Sequence, residues 1–261
     1  MDPAAFIGIA VSFGAVLASI IFEGGSPLGI LLPAPMLLVI GGTLGAGLTS
    51  STIKDAKHAF GAIPKAFTLK LPKPEVTVAT LVGLADRARR EGLLALEDAA
   101  KDIDDDFLKA GLQAAIDGTD PEDLRVILDD RIQTKRTQDR TDAKYFADMG
   151  GYAPTIGIIG TVVSLVRVLQ NLASPEVLGP LIASAFVATL WGLLSANLLW
   201  LPFSARLKRA SDLECIQMEV AVEGLLAVQA GANPRLVGER LRSLLPAEAG
   251  KPAKTDKKAA A

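Results

Sequence analysis

The sequence predicts an all-α integral membrane protein with four transmembrane helices and a helical cytoplasmic domain. Half of the 261 residues are hydrophobic, and the mean hydropathy of +0.36 is high for a water-soluble domain. The apolar residues are clustered, and the segments between the clusters have a helical pattern with no strand-like alternation. The stretches without any charged side chain are residues 3–22, 24–53, 149–166 and 177–205.

Each uncharged stretch can hold a membrane-crossing helix, because about 20 apolar residues cross a hydrocarbon core of about 30 Å. We place the spans at about 4–22, 28–50, 152–172 and 178–202. A cleaved signal peptide does not fit the first stretch, since no basic residue precedes it and a second apolar stretch follows at once. A soluble protein with buried helices is the alternative, but these runs exceed ordinary core helices.

Lysine and arginine are unevenly distributed, and their distribution predicts the orientation. None precedes residue 54, sixteen lie between residues 54 and 144, and ten follow residue 205, with Arg167 alone between these groups. The positive-inside rule therefore places both basic segments in the cytoplasm. With four spans, both termini are then cytoplasmic, and only two tight turns face outward.

These spans predict five segments along the chain. Residues 1–51 hold the first two spans, and 52–149 form a cytoplasmic helical domain. Residues 150–205 hold the last two spans, and 206–245 form a cytoplasmic C-terminal helical region. The tail 246–261 is rich in lysine and alanine, and we expect it to be disordered.

Helix boundaries in the cytoplasmic segments are marked by capping and breaking residues. Asp120 can cap a helix whose first turn begins with Pro121. Gly92 interrupts an earlier helix, and Gly231 with Pro234 ends a later one.

The composition excludes several classes of function. A net charge of −2 gives no reason to expect nucleic-acid binding. One cysteine and one histidine provide neither an internal disulfide nor a Cys/His zinc site, and no GxxxxGK[ST] loop is present. By residue count alone a Ser/His/Asp triad stays an alternative, but we expect no cofactor, no metal site and no enzymatic activity. His58 beside Lys57, just outside a span, is expected to be interfacial or solvated.

Small and hydroxyl residues recur on one face of several spans, and in lipid such residues mark helix contacts. The second span has Gly41 and Gly45. The third gathers a proline, a glycine and two hydroxyls at spacings of 3, 4 and 3, and the fourth repeats that spacing. These residues are Pro154, Gly157, Thr161 and Ser164, then Ala185, Ala188, Gly192 and Ser195, with Thr189 alongside. Ordinary packing, with hydroxyls bonded back to their own helix, is the alternative interpretation.

The interiors of the predicted spans contain no Asp, Glu or His. Membrane ion paths normally need an ionisable group or a polar cavity. If this protein moves ions, a partner helix must therefore bring the carboxylate. Arg167 lies roughly 22 Å above the inner end of its span and can snorkel to the outer surface. A carrier of neutral solutes acting alone remains an alternative, since it needs no buried acid.

Residues 150–208, "GGYAPTIGIIGTVVSLVRVLQNLASPEVLGPLIASAFVATLWGLLSANLLWLPFSARLK", strongly resemble the third and fourth spans of flagellar motor stator proteins of the MotA/PomA family. The stretches "REGLLALED" (90–98), "DPEDLRVILDDRI" (120–132) and "QAGANPRLVGERLRSLLP" (229–246) also resemble the family. The similarity covers roughly residues 5–246. ExbB/TolQ energisers are related, but they usually carry one N-terminal span where this chain has two apolar runs.

The resemblance implies a ring of five copies around the transmembrane helices of a MotB dimer in the bacterial inner membrane. It implies that a MotB Asp binds the permeating H⁺ or Na⁺ and that the ring turns against FliG of the rotor. Pro154 and Pro202 match the channel-side prolines of the family, and Thr161 and Thr189 match its ion-path hydroxyls, with Gly157 on the same face. Both hydroxyls suit Na⁺ coordination or hydrogen bonding to a protonated Asp or water, so they leave the ion open.

The resemblance also assigns the rotor contact. Arg89 and Glu97 match the charged residues through which the family contacts FliG, and Arg90 is a close neighbour. The alternative is a solvated helix face on which Arg87 and Glu91 form an i,i+4 pair.

Overall fold

The computed structural model describes residues 3–67 and 74–245. Within these ranges the chain is helical, and no strand occurs. The predicted disordered tail lies outside the described residues. The α-helices are α1 (Ala4–Phe22), α2 (Pro33–Thr49), α3 (Ile53–Phe67), α4 (Pro74–Glu91), α5 (Glu97–Lys101), α6 (Asp106–Ile116), α7 (Pro121–Gln170), α8 (Pro175–Ser195), α9 (Leu201–Gln229) and α10 (Pro234–Ser243).

Among the described residues, three helical stretches are long and apolar enough to cross a membrane. They are α1, α7 and the stretch from Pro175 to Gln229 that contains α8 and α9. None of the residues of α1 is buried, as suits a helix whose surroundings are apolar. Its first turn meets the end of α3, where the rings of Phe6 and Phe67 lie 4.8 Å apart.

The second predicted span, 28–50, is shorter as a helix than the sequence suggested. A 3₁₀ turn covers Pro27–Ile30, and α2 begins only at Pro33 and has 17 residues. Proline restricts the residue before it to extended backbone, and Leu32 accordingly has φ −94° and ψ 118°. At 1.5 Å per residue α2 is about 26 Å long, slightly less than a hydrocarbon core.

The third and fourth predicted spans are parts of longer helices. The span at 152–172 lies in α7, which has 50 residues and continues through Pro154. The span at 178–202 covers most of α8, a π-helical turn at Ala196–Trp200 and the start of α9. Hydropathy marks where a helix enters lipid, but it does not mark where the helix ends.

The chain forms two compact units whose limits differ from the predicted segments at 52–149 and 150–205. Among the described residues, the first unit holds 3–67 and 138–211, and the second holds 74–137 and 212–245. The difference arises because α3 and the middle of α7 pack with the apolar helices. Their shared core contains Ala56, Ala59, Ala66, Ala143, Tyr145, Phe146, Met149 and Leu207.

The second unit has a core of aliphatic side chains from α4, α6, α9, α10 and the start of α7. Val78, Leu81 and Ala88 recur at helical spacing on one face of α4, and all three are buried in this core. The predicted boundaries are confirmed. Glu122 donates its backbone N–H to the Asp120 carboxylate at 2.9 Å, α4 ends before Gly92, and α9 ends before Gly231, while α10 begins at Pro234.

Candidate functional site

The predicted faces of α7 and α8 pack directly against each other. A Cβ added at Gly157 would lie 3.0 Å from the Ala188 carbonyl oxygen and 3.2 Å from the Thr189 Cα. A Cβ at Gly192 would lie only 2.7 Å from the Ala153 carbonyl oxygen. Because real Cβ atoms essentially never come within 3.0 Å of backbone, glycine is required at position 192, and a side chain at position 157 would force the facing backbone to shift. The small-residue spacing therefore predicted this helix contact correctly.

The two threonines meet one turn further along the same contact. The Thr161 and Thr189 hydroxyls form a short hydrogen bond with each other. The Thr161 Oγ1 also lies 3.1 Å from the Ala185 carbonyl oxygen and 3.2 Å from that of Gly157. Three oxygen atoms from two helices thus surround the half-buried Thr161 hydroxyl. A hydroxyl carries a single proton, so this group can reorient among acceptors or leave lone pairs for a cation or a proton donor.

Pro154 lies at this contact, whereas Pro202 does not. The Pro154 Cα would be 3.3 Å from a Cβ on Gly192, so it belongs to the packed face. Pro202 is exposed and follows the π-helical turn, in which the Leu201 N–H donates to the Ala196 carbonyl five residues earlier. Proline has no N–H for the carbonyl four residues before it, and a π turn shifts that pairing by one residue. The sequence identified Pro202 but not the π turn.

The predicted contact face of α2, with Gly41 and Gly45, makes no contact within this chain. A Cβ at Gly41 or Gly45 would meet no atom within 4 Å, so neither glycine packs within this chain. Instead a Cβ at Gly42 would lie 3.0 Å from Ile156, and one at Gly47 would lie 3.1 Å from Met149. Several glycines in α2 satisfy similar spacings, and only the tertiary packing selects among them.

Asp142 in α7 is a deeply buried acid, with only 3% of its side chain exposed. Its partner is His58 in α3. The His58 Nδ1 lies 2.9 and 2.8 Å from the two Asp142 carboxylate oxygens, and the Gln138 side-chain amide donates to one of them at 3.3 Å. This pair ties α3 to α7. His58 is 56% exposed, so it is solvated as expected, but sequence reasoning missed its partner 84 residues away.

A second contact that sequence reasoning missed involves Trp191. Its indole N–H donates to the Ile30 carbonyl at 2.7 Å, which joins α8 to the turn before α2. Arg167 is exposed near the end of α7, and its carbonyl accepts from the Asn171 side chain at 2.7 Å. The described residues contain no group of three or more His, Cys, Asp or Glu side chains able to hold a metal ion.

The charged face at the end of α4 combines paired and unpaired groups. The predicted Arg87–Glu91 pair is present at 3.1 Å, and Arg90 pairs with Asp86 at 2.8 Å. Within the described ranges, exposed Arg89 forms no ion pair and neither does exposed Glu97.

Asp98, the acid that follows Glu97 along the chain, is already paired with Lys101. Lys101 donates to the Asp98 carboxylate at 2.9 Å, and this hydrogen bond lowers the pKa of that carboxyl. Two of the three predicted rotor-contact residues, Arg89 and Glu97, are therefore available to another molecule.

Comparisons with known proteins identify relatives along most of the chain. Residues 6–92 match the motility protein A N-terminal family, and residues 99–220 match the MotA/TolQ/ExbB proton channel family. Motility protein A of Bacillus subtilis (strain 168) is 36% identical over 253 residues, which are 95% of this chain and 92% of that protein. The chemotaxis protein PomA of Vibrio alginolyticus is 32% identical over 245 residues, covering 94% and 96% respectively. The solved flagellar MotAB stator complex from Bacillus subtilis matches with a TM-score of 0.87 at 35% identity, covering 95% of this chain and 97% of that one.

Proposed function

The chain belongs to the MotA/TolQ/ExbB proton channel family as a flagellar stator subunit of the MotA/PomA type, and we propose that its α7–α8 contact forms one wall of the ion path. It is an all-helical, multi-pass membrane protein and a channel subunit rather than an enzyme. Among its solved relatives is a MotAB stator complex, so we infer that the chain works in an oligomer with a MotB-type partner.

One observation carries the proposal for the ion path. Residues 149–205 contain a single acid, Glu176, and it lies in the first turn of α8, away from the hydroxyl cluster. The Thr161 and Thr189 hydroxyls and two carbonyls gather oxygen atoms at the helix contact without a charged group to titrate. An Asp on the MotB dimer supplies the missing carboxylate, and the permeating H⁺ or Na⁺ binds there beside these oxygens.

The arrangement in the membrane follows from four helices. We infer that α2 crosses the bilayer with α1, α7 and α8, since prolines lie in its first turn and most of its residues are apolar. Five copies form a ring around two MotB helices in the bacterial inner membrane, in contact with lipid. The basic segments after residue 53 and after residue 205 lie in the cytoplasm with both termini.

Coupling of ion flow to rotation uses the residues that control the α7–α8 geometry. Gly157 fixes the separation of the helices, and Pro154 lies at the same contact. Pro202 follows the π turn, where a change in hydrogen-bond register needs little energy because proline leaves one carbonyl unpaired by an α-helical bond. A protonation change at the partner Asp can therefore be accommodated by a change of hydrogen-bond register in the π turn before Pro202.

The rotor protein FliG is contacted through exposed charges on the second unit. Arg89 and Glu97 are the proposed contacts, since each is exposed and neither is ion-paired within the described ranges. Arg90 contributes less, because breaking its pair with Asp86 offsets part of any new contact. Exposed ion pairs are individually weak, which suits a contact that forms and breaks at every step.

An ExbB/TolQ-type energiser is the alternative, and the N-terminal half weighs against it. Two apolar helices, α1 and α2, precede α3, and residues 6–92 match the motility protein A N-terminal family.

Complementation tests the function directly. A motile bacterium lacking its own stator genes receives the chain with its MotB-type partner, and swimming is scored in soft agar. We expect swimming only when both chains are present and the partner Asp is intact. Swimming with the chain alone, or with the partner Asp→Asn, would contradict the proposal. Swimming speed against Na⁺ concentration and pH then identifies the ion.

A further inference from the structure

The turn between α4 and α5 displays one apolar side chain among charges. The 3₁₀ turn covers Leu93–Leu96, and Leu94 within it is 77% exposed. Among the described residues of the second unit it is the most exposed large hydrophobic side chain. A single exposed leucine is ordinary on a protein surface, so its exposure needs a structural reason before it carries meaning.

The backbone imposes this exposure. Gly92 has φ +86°, a conformation that side chains rarely adopt, and its N–H donates to the Ala88 carbonyl at 2.9 Å. After this cap, Leu96 is fully buried in the core and Leu93 packs against it. Since Leu93 and Leu96 in the same turn are held inward, Leu94 is held outward. A rigid apolar group loses little conformational entropy when a partner covers it.

The charges around the turn are not equivalent. Those on Arg87, Arg90 and Asp98 are each compensated by a pair within four residues. Arg89, five residues before Leu94, and Glu97, three residues after it, have no such pair within the described ranges. The turn thus offers a partner one apolar group, one available cation and one available anion.

We propose that Leu94 is the apolar anchor of the contact with the rotor protein. The inference rests on the proposed function, in which Arg89 and Glu97 contact FliG, and it adds a residue to that contact. The matching rotor surface has an apolar depression for Leu94, an acidic group for Arg89 and a basic group for Glu97. Interfaces concentrate their binding energy in a few residues that fill pockets on the partner, and charged groups steer the approach of the two surfaces.

A second copy of the chain fits this surface less well than a rotor protein does. Permanent interfaces between subunits are large and hydrophobic, with charged residues depleted at their centre. Here one exposed leucine lies between exposed charged residues along the chain, as in a small contact that exchanges repeatedly.

Photocrosslinking tests the proposal in swimming cells. A photoreactive phenylalanine analogue replaces residue 94, residue 89 or residue 236, and adducts are detected with antibodies against FliG and against the chain itself. Leu236 is the matched control, because it is a leucine of the second unit that is 62% exposed on α10. We expect a FliG adduct from position 94 and none from position 236.

Two other results would overturn the proposal. A FliG adduct from position 89 with none from position 94 would leave the proposed function intact and remove Leu94 from the contact. An adduct of the chain with itself from position 94 would make the turn a subunit interface. Failure of the unmodified chain to support swimming, with no FliG adduct at any position, would instead overturn the proposed function.

Substitution supplies an independent measurement. Leu94→Ala removes the apolar group without adding charge, and we expect slower swimming and reduced stall torque at an unchanged membrane level. Leu236→Ala should swim normally. Equal torque for Leu94→Ala and the unmodified chain would also overturn the proposal.

Discussion

Gly192→Ala is the sharpest test of the α7–α8 contact. The added Cβ would lie 2.7 Å from the Ala153 carbonyl oxygen, and its other two nearest atoms, the Cα atoms of Gly157 and Pro154, lie at 3.1 and 3.3 Å. All three are backbone atoms, so no side-chain rotation relieves the overlap. The helices must separate, because ordinary contact begins at 3.4 Å.

The size of the effect follows from these distances. The closest contact is about 0.7 Å too short, and overpacking of this kind costs about 1–3 kcal/mol. Replacing glycine in a helix also gains about 1 kcal/mol of helix propensity, which partly masks the cost. A separation of that size would lengthen the 3.1 Å approach of the Thr161 hydroxyl to the Ala185 carbonyl to about 3.8 Å, beyond hydrogen-bond reach.

Gly179→Ala is the matched control, because Gly179 also lies in α8 and a Cβ there meets no atom within 4 Å. The control gains the same propensity without the clash. Thermal unfolding of the purified variants in detergent should therefore place Gly192→Ala about 1–3 kcal/mol below Gly179→Ala. Swimming should be lost or slowed in Gly192→Ala alone. If the two variants are equally stable and both swim normally, the helices do not pack as described.

Three further predictions concern the hydroxyls, the proline and the rotor surface. Thr189→Val removes the hydroxyl that bonds to Thr161 and should lower swimming speed at a normal membrane level. Thr155→Val removes an exposed hydroxyl bonded to its own helix and should leave swimming speed unchanged, so equal speeds of the two variants would contradict the ion-path role. Pro202→Leu restores a backbone N–H after the π turn and should abolish torque with normal expression, measured on tethered cells; full torque would remove the coupling role. Arg89→Glu should reduce torque without preventing membrane assembly, whereas Arg235→Glu on α10 should leave torque unchanged. Identical torque in the two variants would mean that Arg89 is only a solvated surface residue and does not contact the rotor.

Sequence reasoning was most successful where the pattern has one physical solution. Uncharged runs long enough to cross a bilayer identified the apolar helices, and α1 has the predicted limits of 4 and 22. The 3, 4, 3 spacing of small residues in α7 and α8 admits only one contact face, and Gly157 and Gly192 lie on it. Capping at Asp120 succeeded because side-chain caps are local.

Sequence reasoning failed where several arrangements satisfy the same pattern. Four glycines in α2 offered more than one small-residue face, and the one chosen, with Gly41 and Gly45, packs on nothing in this chain. The pair between His58 and Asp142 has no local signal, because it joins residues 84 positions apart. The π turn before Pro202 depends on a hydrogen-bond register that hydropathy does not report.

The proposed roles of the site residues depend on a carboxylate from a partner chain, so ion flux across vesicles tests the ion path most directly. Vesicles contain the chain alone, the chain with its MotB-type partner, or the chain with the partner Asp→Asn, and an ion gradient is applied across them. We expect flux only with the intact partner, because residues 149–205 provide the Thr161 and Thr189 oxygens but no acid beyond Glu176. Equal flux through the chain alone would contradict the proposed ion path.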